Sequence, residues 1–198
     1  MGEHYFTRTP AGPETGRTVA FPLDGVTRVL HASSGVFSQD RLDPGTEVLL
    51  RHAPRPPAEG TLLDLGCGYG PIACALAIRS PAATVWAIDV NERALRCTAA
   101  NAERLGLPRV RAAFPEDVPD GVTFAAIYGN PPIRIGKAAL HDLLLRWLAR
   151  LAPGGAAYLV VHRNLGSDSL QRWLLGEGFA CERLHSENGY RVLRVAAA

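Results

Sequence analysis

Nine consecutive residues, Leu62-Leu63-Asp64-Leu65-Gly66-Cys67-Gly68-Tyr69-Gly70, constrain the fold of this chain more than any other segment. A short apolar run with strand character feeds glycines at every second position, and Pro71 then opens a helical pattern that runs to Arg79. Glycine tolerates the positive φ of a tight turn and, lacking a Cβ, lets another molecule approach the main chain closely. A strand that turns through glycines directly into a helix is the first unit of a parallel α/β sheet. The chain repeats that unit. A strand over Ala83–Ile88 precedes a helix capped by Asn91, in which Leu95, Thr98, Ala102 and Leu105 recur at spacings of three and four before Gly106 ends it. Strands follow over Val110–Phe114 and Thr123–Tyr128. Leu140, Leu143, Leu144, Trp147, Leu148 and Leu151 make another helical stripe, closed by Pro153-Gly154-Gly155, before a buried strand over Ala156–His162 and a short helix over Leu170–Leu175. Phe179–Leu184 and Tyr190–Val195, separated by Ser186-Glu187-Asn188-Gly189, form an antiparallel pair. The expectation is an α/β, Rossmann-like, doubly wound, mainly parallel seven-stranded sheet with an antiparallel last strand, and with ligands at the C-terminal ends of its strands.

Upstream, Thr18–Leu23 and Val26–His31 flank Asp24-Gly25, a dipeptide suited to the positive φ angles of a two-residue hairpin turn. Asp43 is placed to cap a helix with Pro44 at its first position, continuing through Val48–His52 and stopping before Pro54; residues 53–60 read as a Pro-rich linker. The whole of 1–198 is expected to form one domain, with an N-terminal hairpin and helix extension over 1–53 and a Rossmann-like core over 60–198. At 198 residues and 47% hydrophobic content the chain can bury a full core, which excludes disorder as its main state. Its richest apolar run, Ala156–Val161, is far short of the roughly 18 residues of a membrane span. Met1–Pro10 carry Glu3, His4 and Arg8 and no apolar signal region, so a cytoplasmic location is expected. Cys67, Cys74, Cys97 and Cys181 form no C-x-x-C pair, which argues against zinc and redox chemistry, and no metal is expected. A net charge of +2 is too small to mark a nucleic-acid binder by field alone, so any RNA contact has to be local.

Three segments carry chemistry. The glycine loop reads G-x-G-x-G with Asp64 two residues before it, unlike the G-x-G-x-x-G of dinucleotide sites. A carboxylate there suits a ligand with an ammonium group better than a pyrophosphate. Asp89, at the end of the second parallel strand with Val90 beside it, stands 21 residues after Gly68, the spacing at which an acid meets ribose hydroxyls. Together these suggest an adenosine ligand without phosphates, although a plain strand–helix turn would use the same glycines. After the fourth strand, Gly129-Asn130-Pro131-Pro132-Ile133 makes a stiff loop in which the Asn130 side-chain carbonyl and the Pro131 backbone carbonyl could accept from both hydrogens of a planar amino group. The same residues would also serve a Pro-rich connection with Asn as turn former.

In that order and on those elements, Asp64–Gly70, Asp89 and Asn130-Pro-Pro-Ile133 resemble the class I S-adenosylmethionine-dependent methyltransferases, whose amino-methylating branch carries Asn-Pro-Pro. Ser34–Ser38, Asp43–Thr46, Asn130–Lys137 and Gly189–Leu193 extend the resemblance, over roughly residues 30–196, to the small methyltransferase family that includes the ribosomal RNA guanine-N2 methyltransferases. The resemblance implies S-adenosylmethionine as methyl donor, with Gly66, Cys67 and Gly68 along its methionine portion, Asp64 nearby, Asp89 and Val90 at the ribose, and Asn130 between donor and acceptor. It implies Asn130 and Pro131 as the catalytic pair that receives a guanine amino group. Phe37 would close over the cosubstrate or stack on the base, Pro132 and Ile133 would line the acceptor side, and Arg134 and Lys137 would meet RNA phosphates, with Arg17, Arg28 and Arg41 as weaker candidates. The chain departs from the pattern at Ile133, where many relatives have an aromatic residue, and after the third strand, where either Glu116 or Asp117 could serve the adenine. The two-domain ribosomal enzymes it resembles have an extra N-terminal module, so RNA recognition here is expected from the hairpin and loops.

The favoured function is N-methylation of a guanine N2 in ribosomal RNA or a ribosomal subunit. Methylation of a protein glutamine or a small-molecule amine uses the same Asn-Pro-Pro chemistry. A non-catalytic binding module and a nicotinamide oxidoreductase fit the site residues less well.

Overall fold

The computed structural model describes residues 8–9, 13–38 and 40–197. Most of the Met1–Pro10 segment used above to infer location lies outside the described residues. Two strands, β1 (Gly16–Leu23) and β2 (Val26–Ser33), pair as an antiparallel hairpin. Its turn residues Asp24 and Gly25 both have positive φ, 50° and 79°, as a two-residue turn matched to strand twist demands. Helix α1 (Pro44–His52) follows, with Asp43 accepting from the Thr46 N–H at its N-terminus as expected.

A seven-stranded sheet then forms from β3 (Thr61–Leu65), β4 (Thr84–Ile88), β5 (Val110–Ala113), β6 (Phe124–Gly129), β7 (Leu151–His162), β8 (Phe179–Glu187) and β9 (Tyr190–Ala197), in spatial order β5-β4-β3-β6-β7-β9-β8. The first five of these strands are parallel; β9 runs antiparallel to both β7 and β8. This is the Rossmann-like sheet expected, with its last strand inserted antiparallel. Helices α2 (Pro71–Arg79), α3 (Glu92–Arg104), α4 (Lys137–Leu148) and α5 (Ser167–Gly176) connect the strands.

Two apolar clusters flank the sheet. One joins the hairpin residues Phe21 and Leu30 to α1 and α2; the other seats Trp147, Leu144 and Leu174 against Phe124 and Ile127. Asn101 of α3 fastens the hairpin to the glycine loop: its Oδ1 accepts from His31 N at 2.8 Å, and its Nδ2 donates to the carbonyls of His31 and Tyr69, each at 2.8 Å.

Two of the boundaries that differ from the expectation have a visible physical cause. Leu151 and Pro153-Gly154-Gly155 belong to β7 and not to the end of α4. Pairing there jumps from Phe124–Leu151 to Ala126–Ala156, so the intervening residues bulge. A Cβ on Gly155 would stand 2.9–3.0 Å from the carbonyls of Ala152, Phe124 and Ala125, so only glycine fits this crossing. At the other end β8 continues to Glu187, because Asn188 and Gly189, with φ of 50° and 83°, make the turn alone. Among the described residues no helix is long and apolar enough to cross a membrane.

Candidate active site

Parallel strands expose their C-terminal ends on one edge, and here β3, β4, β6 and β7 deliver Gly66, Asp89, Asn130 and His162 to it. A cavity of about 390 Å³ opens among them, within the roughly 300–1,000 Å³ of small-molecule sites. Of the residues singled out from the sequence, Gly66, Gly68, Asp89, Val90, Phe37, Asn130, Pro132, Ile133 and Arg134 line it.

Along the glycine loop the main chain is bare. Gly66 and Gly68 adopt φ of 81° and 56°, and a Cβ built on Gly68 would meet nothing within 4 Å. Gly70 serves packing instead: a Cβ there would stand 2.9 Å from Thr98 Oγ1 on α3. The loop is tied to the neighbouring strand, since the N–H groups of Gly66 and Cys67 both donate to Ile88 O, at 3.0 and 2.9 Å. Gly68 N–H donates to Asp89 Oδ2 at 3.0 Å and Asn91 N–H to Asp89 Oδ1 at 2.9 Å. Each Asp89 oxygen thus keeps lone pairs for a further donor. Burial pushes the Asp89 carboxyl up from its ordinary range, and the backbone N–H groups of Asn91, Gly68 and Val90 work against that shift.

Asp64 does not reach the wall. It is fully buried, its Oδ2 accepts from Ala73 N at 2.9 Å, and its Oδ1 has no partner among the described residues. Burial, with a smaller push from the charge of Asp89 and against the Ala73 hydrogen bond, raises its pKa to about 8. Cys67 is also buried beneath the loop, where Thr98 Oγ1 lies 3.4 Å from its sulfur.

On the next strand end, Asn130 Nδ2 donates to Asp43 Oδ1 at 2.7 Å and to Thr46 Oγ1 at 3.2 Å. A carboxylate only accepts, so this contact fixes which end of the amide faces α1. It leaves the Asn130 Oδ1 as the atom of that amide without a partner among the described residues. The Pro131 carbonyl already accepts from Ile133 N–H at 2.8 Å across a γ-turn at Pro132 (φ −75°, ψ 76°), with Pro131 itself buried. One lone pair of that carbonyl remains available. Lys137 starts α4, is exposed, and does not line the cavity; Arg134 is exposed at the rim. Arg17 is paired with Asp40 at 2.8 Å, and Arg28 reaches the carbonyls of its own hairpin turn.

The wall also contains residues that sequence reading left unassigned. Asp43 was given no role in the site beyond capping a helix within a segment of the resemblance, yet it lines the cavity and holds Asn130. Tyr190 and His162, paired across β7 and β9 with ring centroids 4.8 Å apart in a T-shape, stand beside it. After β5 the wall is Pro115; neither Glu116, which pairs with Arg8 at 3.1 Å, nor Asp117 lines the cavity. Apart from the cavity, His52, His185 and Glu187 bring ligand atoms within 4.8 Å of one another. The two imidazoles stack at 3.5 Å and 13°, so their in-plane lone pairs run side by side and do not converge, and Glu187 is held by His52 and Arg51.

Residues 27–194 match the Methyltransferase small domain family. The uncharacterised protein YbxB of Bacillus subtilis (strain 168) is 36% identical over 172 residues, 85% of this chain and 86% of that protein. The ribosomal RNA small subunit methyltransferase C of Shewanella loihica is 33% identical over 169 residues, 80% of this chain and 46% of that enzyme. Among solved structures, a T. thermophilus 16S rRNA N2 methyltransferase in complex with AdoMet and guanosine superposes with a TM-score of 0.79 at 27% identity, covering 94% of this chain and 52% of that one. The chain therefore spans about half the length of the ribosomal RNA methyltransferases it matches.

Proposed function

The chain belongs to the methyltransferase small domain family, and on that premise we propose that it transfers a methyl group from S-adenosylmethionine to the exocyclic N2 amino group of a guanine in ribosomal RNA. The observation that carries this reading is one continuous cavity lined by Asp89, the glycine loop and the oriented Asn130 amide, with the glycine loop between the other two because Leu65 pairs with Ile88 on one side and Gly129 on the other. The relatives and the T. thermophilus structure, with its AdoMet and guanosine, support the donor and the class of acceptor.

The residues fit the donor. Gly66 and Gly68 leave space that any side chain would fill, suited to the methionine portion. Asp89, its orientation fixed by two backbone donors, accepts from both ribose hydroxyls through its remaining lone pairs. When bound, S-adenosylmethionine supplies an electrophilic methyl group on a sulfonium centre. Asn130 Oδ1 and the Pro131 carbonyl accept from the two N–H groups of the guanine amine and hold its nitrogen in line with that methyl. In the transfer the carbon–nitrogen bond would form as the carbon–sulfur bond breaks, the sulfur would leave as neutral S-adenosylhomocysteine, and the nitrogen would then release its extra proton to water. No base has to act first, so the chain accelerates the reaction chiefly by positioning. Phe37, exposed at the rim, covers the donor or the base, and Arg134 and Lys137 offer cations to phosphates. A cytoplasmic enzyme acting on ribosomal RNA or a subunit is the resulting picture.

The test is transfer of labelled methyl from S-adenosylmethionine into separated ribosomal subunits, naked ribosomal RNA, transfer RNA and protein, with Asn130→Ala as control. Label released from RNA as N2-methylguanosine, and absent with Asn130→Ala, is the expected result. Label in protein, or in none of these acceptors despite donor binding, would move the acceptor to a glutamine or a small-molecule amine.

A further inference from the structure

The geometry points to Asp43 as a positioning residue for methyl transfer, acting through Asn130; this rests on the reading that Asn130 receives the acceptor's amino group. Three observations lead there. Asp43 Oδ1 serves two donors at once, Thr46 N at 3.0 Å and Asn130 Nδ2 at 2.7 Å. Thr46 Oγ1 adds a second contact to the same amide nitrogen at 3.2 Å, so both hydrogens of the Asn130 side chain are directed toward α1. Asp43 also lines the cavity, and Gly45 packs tightly between it and Tyr190: a Cβ on Gly45 would stand 2.8 Å from Tyr190 Cε1 and 3.0 Å from Asp43 Oδ1.

An isolated asparagine can flip its amide and present either a donor or an acceptor to its ligand. Asp43 removes that choice, because a carboxylate cannot donate. The carbonyl oxygen of Asn130 is therefore the end offered to an N–H donor. A charged acceptor on Nδ2 also draws the amide toward its dipolar form and places more negative charge on Oδ1. That oxygen faces a nitrogen that becomes positive as the methyl arrives, so the interaction strengthens during the transfer. Asp43 thus contributes to the transition state more than to the ground state, without touching the reacting atoms. It also makes the segment before the core part of the site: the residue that caps α1 sets the polarity of a loop 87 positions later.

Two variants separate this role from the cap. Asparagine caps helices as well as aspartate does, so Asp43→Asn retains the Thr46 contact and the fold while discarding the charge. With total ribosomal RNA as acceptor we expect Asp43→Asn to lower kcat on the order of tenfold, the size of one charged hydrogen bond made neutral. The Kd for S-adenosylmethionine and the melting temperature should stay unchanged. Asn130→Asp alone should be inactive, because it sets two carboxylates against each other; combined with Asp43→Asn it should recover activity, because the donor and acceptor ends are then exchanged. In 15N-labelled protein the Asn130 side-chain NH2 should shift upfield in Asp43→Asn, a readout that needs no acceptor. Wild-type kcat in Asp43→Asn, or an unmoved Asn130 resonance, would overturn the proposal. Undiminished activity in Asn130→Ala would instead overturn the reading of Asn130 on which it rests.

Discussion

The residues proposed to hold the donor and those proposed to receive the acceptor are built into the cavity in different ways. Gly66, Gly68 and Asp89 come from two consecutive strand–helix units, and the parallel pairing of Leu65 with Ile88 sets their spacing. The acceptor set gathers Asn130 from β6, Asp43 from the cap of α1, His162 from the end of β7 and Tyr190 from the antiparallel β9. Its key contacts span 87 and 84 residues. The first set is therefore a property of the parallel sheet itself, whereas the second exists only when the N-terminal segment and the closing hairpin have docked on it. A fold so divided can keep its methyl donor while its acceptor chemistry is altered by segments outside the parallel units.

Two substitutions test that division directly. Asn130→Ala should lower transfer by at least about 100-fold, the cost of removing one preorganised polar group from a reacting centre, while isothermal titration shows S-adenosylmethionine bound within twofold of wild type. Asp89→Ala should do the reverse. Loss of a charged hydrogen-bonding group weakens donor binding by about 1.5–3 kcal/mol, roughly 10- to 100-fold in Kd, with the acceptor KM little changed. Equal losses of donor binding in both variants would mean that the two sets are one cooperative unit.

The same division explains what could be read from the chain. β3, α2 and the Asp24-Gly25 turn follow local rules of periodicity, capping and positive φ, and each is found where those rules put it. The residues proposed for the donor could be picked out because they sit at fixed distances after strands. Asp43 was legible as a cap and as part of a segment carrying the family resemblance, but not as a partner of Asn130, since nothing local says that a capping carboxylate will meet an asparagine from another strand. The bulge before Ala156 was hidden for a related reason: Pro153-Gly154-Gly155 looks like a helix terminator until the carbonyls of Phe124 and Ala125 crowd it from the neighbouring strand. Asp64 was read as a cavity residue from its place beside the glycines, but alternation along β3 turns its side chain under α2 to meet Ala73 N.

Gly45→Ala probes the acceptor set more gently. The added methyl would stand 2.8 Å from Tyr190 Cε1 and 3.0 Å from Asp43 Oδ1, so the ring and the carboxylate that holds Asn130 both have to give way. A fall in kcat of about three- to tenfold is expected, equivalent to roughly 0.7–1.4 kcal/mol, with donor affinity preserved. A fall in donor affinity of the same size would show that docking of α1 shapes both sets.

The smallest effect is expected beside the donor set, from Asp64→Asn, and it appears in stability as a function of pH. Folding raises the Asp64 carboxyl from 3.8 to about 8, chiefly by burial. The folded state therefore holds a proton between those values that the unfolded state has lost, and stability falls as pH rises through that interval. Asparagine keeps an oxygen for Ala73 N–H and has no charge to bury, so the variant escapes the loss. Its melting temperature relative to wild type should rise from pH 5 to pH 9 by at least about 4 °C, which for a chain of this length corresponds to roughly 1–2 kcal/mol. A difference that stayed flat with pH would mean that the Asp64 carboxylate is ionised at neutral pH in the folded protein, stabilised by a partner on its Oδ1. Repeating the scan with saturating S-adenosylmethionine makes the comparison sharper. If the ligand's ammonium group pairs with Asp64, binding pulls the proton off, and the advantage of asparagine at high pH shrinks in the complex; if Asp64 only supports the loop, the advantage is the same with and without the donor.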